Sequence, residues 1–222
     1  MQYYDRYWTT ATSEELRDFA LKWPIIRKHI PLNTSYKILD YGCGEGRVLK
    51  EVKSMNPNAT LYGVDVSLVA LNIARKSFKN LLFYKVQEGG TIPLKDRTVD
   101  CILAIDVIEH VYDTEYMFNE FARILKPGGK ILISTPYCGI IKNLIIALVG
   151  FEKVYDPTGP HIRYFTKNSL TKCLNDIGCK SLQWEYFGRV YPIYKGMFVI
   201  AEKISEKRMH ISNFVPFAKH ES

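Results

Sequence analysis

The feature that most constrains this chain is an apolar segment that runs directly into three closely spaced glycines. Residues 38–49 read Ile-Leu-Asp-Tyr-Gly-Cys-Gly-Glu-Gly-Arg-Val-Leu, so that Gly42, Gly44 and Gly46 occupy alternate positions. Glycine is needed where a backbone turns tightly and approaches a ligand without a Cβ in the way. A strand, a glycine turn and a helix in this order predict the first unit of an α/β sheet, with a ligand crevice at the turn.

The chain then alternates between short apolar segments and amphipathic ones. Strands are predicted over residues 37–41, 61–65, 81–86, 101–105 and 130–134, and helices over 47–55, 68–77 and 114–125. Near-continuous apolar strands of this kind indicate a sheet covered by helices on both faces.

The C-terminal part breaks this alternation. A helix is predicted over 166–177, and two further strands, 182–187 and 197–201, have no helix between them and should pair antiparallel. The sequence therefore predicts an α/β fold, a Rossmann-like doubly wound mixed seven-stranded sheet with helices on both faces and the last strand antiparallel.

Composition and charge limit the number of domains and the kinds of partner that we expect. A chain of 222 residues with 47% hydrophobic residues fits a single domain over 1–222. The formal net charge is +7, but the positive residues are scattered and never form a run of five. Extra solubilising charge explains this distribution better than a nucleic-acid surface, so no nucleic-acid partner is expected.

The cysteines indicate the compartment. There are five, and no two of them have Cys-x-x-Cys spacing, which argues against a disulfide framework and a zinc site. We therefore expect no metal and a cytoplasmic location. The longest apolar run, around residues 144–149, is too short to cross a bilayer.

An acidic residue at the end of the second predicted strand strengthens the ligand interpretation. Asp65 lies 65 − 46 = 19 positions after Gly46, where a carboxylate can accept both hydroxyls of a ribose, although it could also cap a helix. The dinucleotide pattern Gly-x-Gly-x-x-Gly would place its third glycine at position 47, which is Arg47. A nicotinamide-dependent oxidoreductase is therefore a disfavoured alternative.

The spacing Asp40-x-Gly42-x-Gly44-x-Gly46 resembles motif I of the class I S-adenosylmethionine-dependent methyltransferases. Residues 62–67, 87–94, 99–111 and 125–129 are similar to later segments of that family in order and spacing. Residues 109–111 and 161–166 resemble the ubiquinone-biosynthesis O-methyltransferases and the wider methyltransferase type 11 group. The resemblance implies S-adenosylmethionine as cofactor and S-adenosylhomocysteine as product.

The resemblance also implies roles for individual residues. Three glycines would line the methionyl and ribose parts, Asp40 would support the methionyl ammonium, and Asp65 would hold the ribose. Residues around the adenine and the end of the fourth strand complete the set. The implied cofactor-binding residues are Asp40, Gly42, Gly44, Gly46, Asp65, Val66, Glu88, Gly89 and Ile105.

Two histidines are the candidates for a catalytic base. His110 follows the fourth predicted strand, and His161 precedes the C-terminal helix. Histidine suits proton removal near neutral pH if the acceptor is a hydroxyl. A histidine at either place could equally well hydrogen-bond a loop backbone, so both interpretations stay open.

Two segments outside the central pattern concern the acceptor. Residues 1–30 are expected to form an N-terminal helical lid that carries Tyr3, Tyr4, Tyr7 and Trp8, although they could simply pack on the domain. Residues 137–160 contain an apolar insert, which would cover the acceptor site, pack on the domain or a second subunit, or touch a membrane surface.

The function predicted from these features is methyl transfer to a small, apolar or aromatic acceptor, most simply at oxygen. An N- or C-methyltransferase of a small metabolite and a catalytically silent cofactor-binding subunit are the alternatives. Peripheral membrane contact would accompany the membrane interpretation of the insert. Monomer and homodimer are both open.

Overall fold

The computed structural model describes residues 2–10, 14–32, 34–79, 81–87 and 89–209. The N-terminal part contains two helices, α1 (Gln2–Thr10) and α2 (Glu14–Ile26), the second of which continues through Pro24. A short 3-10 turn, Arg27–His29, leads from α2 towards the sheet.

The strands are β1 (Lys37–Tyr41), β2 (Thr60–Asp65), β3 (Leu82–Lys85), β4 (Val99–Ile105), β5 (Leu125–Pro136), β6 (Cys179–Phe187) and β7 (Gly196–Lys203). The helices between them are α3 (Arg47–Met55), α4 (Leu68–Ser77), α5 (Thr114–Ile124), α6 (Ile140–Val149), α7 (Phe151–Val154) and α8 (Lys167–Asp176). Ser67 caps α4 by accepting from the Ala70 amide at 3.2 Å.

All seven strands form one sheet in the order β3-β2-β1-β4-β5-β7-β6. The pairs from β3 to β5 are parallel, whereas β7 is antiparallel to both of its neighbours. The predicted mixed seven-stranded sheet is therefore confirmed. The strand order reverses between β1 and β4, and in such sheets ligands bind at the carboxyl ends of the strands beside that reversal.

Alternate residues of the central strands belong to two hydrophobic layers, one on each face of the sheet. Leu39 and Ile102 belong to one layer, whereas their neighbours Ile38 and Leu103 belong to the other, and all four are fully buried. This two-residue period is what strands buried on both faces require. The continuous apolar segments read from the sequence are thus explained.

The start of β5 differs from the prediction. The segment Lys126-Pro127-Gly128-Gly129 reads as a helix terminator, which placed the strand start at Lys130, yet β5 begins at Leu125 directly after α5. The pairing with β4 shifts between Val99–Leu125 and Cys101–Lys130. The two glycines therefore sit within an irregularity of the strand, where extra residues can be accommodated without ending it.

Candidate active site

A cavity of about 650 Å³ opens at the carboxyl edge of the sheet, beside the reversal of strand order. Its lining comes from the β1–α3 turn, the end of β2, the end of β4, the N-terminal helices, the loop before α8 and the end of β6. The volume suits one or two small molecules. The cavity divides naturally into two parts, which we call the cofactor half and the acceptor half.

The cofactor half, lined by residues 40–45, 47–48 and 64–66, begins at the glycine turn. Gly44 has a φ of +53°, and a Cβ at this position would collide with the indole of Trp8. A Cβ at Gly42 would collide with Val107. The turn therefore needs glycine for its conformation and for the close approach of other groups.

Asp65 lies at the end of β2 and faces the same turn. Its Oδ2 accepts from the Gly44 amide at 2.8 Å, and its Oδ1 accepts from the Ser67 amide at 2.8 Å. Burial raises the pKa of Asp65, and the backbone hydrogen bonds act in the opposite direction. The two amides fix the orientation of a carboxylate that still has lone pairs to offer a ligand.

Asp40, in β1, is the most unusual group of the cofactor half. Its side chain is buried, and its Oδ2 has no hydrogen-bond partner among the described residues. Burial, followed by the nearby charge of Asp65, raises the pKa of Asp40 well above its ordinary value. An unpartnered buried oxygen at a cavity wall is what a ligand ammonium or a bridging water would satisfy.

The other implied cofactor residues fall into three groups. Val66 and Ile105 line the cavity. Gly46 and Gly89 do not line it, and Gly46 instead faces the rings of Phe78 and Phe83 beneath the turn. Glu88 lies outside the described residues.

The acceptor half contains the two candidate histidines, which lie side by side with ring centroids 5.0 Å apart. Nδ1 of His110 is 2.8 Å from the carbonyl oxygen of Pro160, which can only accept, so Nδ1 carries the hydrogen and Nε2 keeps its lone pair. Burial lowers the pKa of both His110 and His161. Both rings are therefore neutral near pH 7 and able to accept a proton.

Glu109 lies beside the histidines and is almost fully buried. Neither of its carboxylate oxygens makes a well-formed hydrogen bond with a described residue, although the Thr135 side chain lies close to it. Burial raises the pKa of Glu109 to about 7. Donor atoms of Glu109, His110 and His161 all lie within 4.8 Å of one another, a spacing that a metal ion could bridge.

The loop that carries His161 is held against Glu109 by the backbone. The amides of Ile162 and Arg163 both donate to the carbonyl oxygen of Glu109 at 3.0 Å. Fifty-one positions separate the two histidines in the chain, 161 − 110 = 51, and these bonds bring them together. The sequence analysis selected both histidines as candidates, but no sequence pattern predicted that they would lie next to each other.

On the acceptor side, an ion pair between a buried lysine and a partly exposed aspartate was not found by sequence reasoning. Lys22 of α2 is only 5% exposed, and its ammonium contacts the Asp106 carboxylate at the end of β4. Asp106 also accepts from the Ser134 hydroxyl at 2.6 Å and has a φ of +52°, which is uncommon for a residue with a side chain. A single lysine within an amphipathic helix gives no sequence signal of burial.

Helix α1 spans the two halves of the cavity. Trp8 lies over the glycine turn, and Tyr4 approaches the His110 ring edge-on with centroids 6.1 Å apart. Asp5 accepts from the Ser67 hydroxyl at 2.6 Å, next to the backbone that holds Asp65. The side chain of Tyr3, which the sequence analysis grouped with these aromatics, lies outside the described residues.

The insert over residues 137–160 contains α6 and α7, and it reaches the cavity only through Pro160. No residue of α6 is buried. The exposed fraction is 88% for Ile140, 76% for Leu148 and 81% for Val149. Lys142 folds back onto the chain, donating to the Tyr137 carbonyl at 2.9 Å. The outer face of α6 is therefore apolar and open.

Comparisons with known proteins agree with this geometry. A family model described as a methyltransferase domain matches residues 39–133. The chain is 27% identical over 209 residues to a ubiquinone biosynthesis O-methyltransferase of Coxiella burnetii, covering 90% of this chain and 86% of the relative.

Two solved structures share the fold. One is a methyltransferase of Haloferax volcanii in complex with the Trm112 methyltransferase activator, with a TM-score of 0.73 at 14% identity, covering 90% of this chain and 96% of the other. The second is an S-adenosylmethionine-dependent methyltransferase of Mesorhizobium loti, with a TM-score of 0.65 at 18% identity, covering 82% and 97%.

The fold, the cavity and these matches together define the class. The chain contains a methyltransferase domain and has the Rossmann-like fold of the class I S-adenosylmethionine-dependent methyltransferases. Its cofactor is S-adenosylmethionine. Among its relatives are enzymes named for O-methylation in ubiquinone biosynthesis.

Proposed function

We propose that this methyltransferase acts on a hydroxyl group of a small, apolar or aromatic acceptor. The observation that carries the proposal is the pair of adjacent histidines, His110 half-buried and His161 exposed, that shares one cavity with the cofactor half. A hydroxyl must lose its proton during methyl transfer, and a neutral histidine is suited to receive it. An amine acceptor that is already unprotonated, or a carbon acceptor, would make different use of these rings.

The residues of the cofactor half fit S-adenosylmethionine. The unpartnered Oδ2 of Asp40 would meet the methionyl ammonium directly or through water, and Asp65 would accept the ribose hydroxyls. Gly42 and Gly44 would let the backbone approach the ligand, with Val66 and Ile105 as apolar walls. Gly46, Glu88 and Gly89 stay predicted members of this set. The bound cofactor supplies an activated methyl group on a sulfonium.

The chain itself would orient the acceptor and move its proton. His110, with Nε2 available, and His161 beside it are the candidates for the group that takes the hydroxyl proton. The aromatic residues of α1 would exclude water from the reacting groups, which agrees with a lid role for residues 1–30. Residues 1–222, including this lid, would form a single catalytic domain.

A cofactor-binding experiment and an acceptor screen test the proposal together. Calorimetry should detect S-adenosylmethionine and S-adenosylhomocysteine and no NAD or NADP. Mass spectrometry of reactions with matched phenols, anilines and aromatic carboxylic acids should then find methylated phenols first. Methylation of anilines alone would replace oxygen by nitrogen as the acceptor atom. Tight cofactor binding without any methylated product would favour the silent-subunit alternative.

We also propose that the outer face of α6 contacts an anionic membrane surface. The outer face of α6 carries exposed apolar side chains, and the chain has a net charge of +7. An apolar helix face on a positively charged protein fits interfacial binding to anionic lipids. In the described part of the chain, no helix is long and apolar enough to cross a membrane. Contact would therefore be peripheral.

Vesicle co-sedimentation tests the membrane proposal. Wild type should sediment with vesicles that contain phosphatidylserine and less with neutral ones, whereas the double variant Ile145→Glu, Leu148→Glu should stay in the supernatant. The matched control is Leu32→Glu, Leu182→Glu, which adds the same charge at two exposed leucines away from α6. Wild type that stays in the supernatant with both vesicle types would overturn the proposal.

A further inference from the structure

The strongest unexplained feature of the cavity is the buried ammonium of Lys22. Lys22 projects from α2 into the acceptor half, where it contacts Asp106 and lies 5.7 Å from the centroid of the Phe187 ring. The positive charge of Lys22 also favours the carboxylate form of Glu109. The lysine therefore stands among the groups that line the acceptor half.

Two features at this point are costly to stability. Burying the Lys22 ammonium carries a desolvation penalty, although the side chain of its partner Asp106 is 34% exposed, and an apolar side chain often serves as well or better for stability alone. The left-handed backbone of Asp106 is a second unfavourable feature at the same point. Neither the buried ammonium nor the left-handed residue is needed simply to pack α2 against the sheet. Their coincidence on a cavity wall points to a role in handling a ligand.

We infer that Lys22 is a catalytic residue of the acceptor site, whose ammonium stabilises the negative charge that develops on the acceptor oxygen. This inference rests on the proposed hydroxyl acceptor. As the O–H bond breaks, the proton goes to a histidine, and the oxygen forms its bond to the methyl carbon while the C–S electron pair stays on sulfur. A fixed positive charge beside the oxygen lowers the barrier to that step.

The surroundings make the charge effective. The apolar ring of Phe187 and the low exposure of the lysine reduce solvent screening, so its field acts at longer range than in water. The contact with Asp106 holds the ammonium in place. The methylated product is an uncharged ether, so its attraction to Lys22 is weaker and release is favoured.

The test uses para-nitrophenol, whose absorbance reports whether its hydroxyl is ionised. Its pKa is measured bound to the complex of the enzyme with S-adenosylhomocysteine and compared with the free value. Wild type should lower the bound pKa by about one unit or more, the size expected from a neighbouring opposite charge. Lys22→Met should abolish the shift, Lys22→Arg should retain part of it, and Lys28→Met, which removes an exposed lysine of the neighbouring turn, should keep it whole.

Activity gives a second measurement. Lys22→Met should lower kcat for phenols at least tenfold with unchanged affinity for S-adenosylhomocysteine, and Lys22→Arg should recover part of the rate. If Lys22→Met does not fold, Lys22→Gln takes its place. An unchanged bound pKa in the Met or Gln variant, or no shift in wild type, would overturn the inference. A Lys22-dependent shift in an enzyme that methylates no hydroxyl would instead refute the proposed function and leave the anion site intact.

Discussion

The two halves of the cavity are built in different ways. In the cofactor half, residues 40–46 and 65–67 supply most of the polar groups, and backbone amides hold the Asp65 carboxylate. In the acceptor half, the charged and titratable side chains come from α2, from the segment after β4 and from the loop before α8. One half is a local backbone structure, whereas the other is assembled from side chains that lie far apart in the chain.

This difference indicates how each half responds to change. A carboxylate fixed by two amides is pre-organised, so binding needs little rearrangement of the protein. The acceptor half depends on long-range packing, and it contains a carboxyl group, Glu109, that is buried without a well-formed hydrogen bond to any residue that the structure describes. We therefore expect substitutions in the cofactor half to change mainly the affinity for the cofactor. Substitutions in the acceptor half should change mainly the rate of methyl transfer and its pH dependence.

The largest effect is expected from the histidines of the acceptor half. Replacing the true base, either His110→Ala or His161→Ala, should lower kcat roughly 10²–10⁴-fold, because the hydroxyl proton loses its acceptor. Affinity for S-adenosylmethionine should change little, because neither ring belongs to the cofactor half. Steady-state kinetics and calorimetry on the same samples measure both quantities, with His29→Ala as a control outside the cavity.

The pH dependence of the wild-type rate has a defined sign. Burial lowers the pKa of both rings below the ordinary 6.5, so the neutral base persists into mildly acidic solution and is lost only as the pH falls through the lowered value. Full rate for both single variants from about pH 6 to about pH 9, a range that spans the ordinary histidine pKa, would show that positioning alone drives the reaction.

A smaller effect is expected from Asp65 in the cofactor half. Asp65→Ala should weaken S-adenosylmethionine binding by about 1–3 kcal/mol, because charged hydrogen bonds to the ribose and to two backbone amides are lost. Calorimetry measures this change, and Asp96→Ala, an exposed aspartate outside the cavity, is the matched control. Equal affinity in wild type and Asp65→Ala would refute the ribose assignment.

Glu109 should affect stability in the opposite direction from most buried polar residues. Its pKa rises from 4.5 to about 7 on folding, so wild-type stability decreases as the pH rises from 4.5 towards 7. Glu109→Gln lacks this decrease and should be more stable than wild type by about 1–2 kcal/mol above pH 7. This gain is smaller than the full shift in the pKa of Glu109 implies, because a buried amide also needs hydrogen-bond partners.

Urea unfolding at several pH values tests this expectation, with Glu51→Gln as a control on α3. The stability advantage of Glu109→Gln over wild type should fall as the pH decreases from 7 through 4.5, because the native carboxyl is then mostly protonated and the unfolded one, half protonated at pH 4.5, increasingly so. A difference that is the same at every pH would mean that ionisation of Glu109 is not its source.

The smallest effect is expected on the exposed face of α6, outside both halves. Leu148→Lys should change the free energy of unfolding by no more than about 0.5 kcal/mol, because a side chain that is 76% exposed loses little packing. Leu103→Ala in the sheet should cost about 2–5 kcal/mol. A cost above about 1 kcal/mol for Leu148→Lys, measured by urea unfolding, would indicate that α6 packs on another surface in solution.

Local patterns alone were enough to predict most of the fold. The alternation of apolar strands and amphipathic helices gave the seven strands and their covering helices, because strand and helix periods are read within a few residues. The start of β5 was predicted wrongly, because Pro127 and Gly128 are compatible both with a helix end and with an irregular strand. Only pairing with β4 selects the second.

What the sequence determined by itself is the cofactor half. The spacing of Asp40, Gly42, Gly44 and Asp65 is local, and the turn and the strand ends bring these residues together whenever the first two strands pair in parallel. What only the tertiary structure decided is the acceptor half. The approach of His161 to His110 and the burial of Lys22 against Asp106 depend on how distant segments pack, and no local period encodes contacts between residues that far apart in the chain.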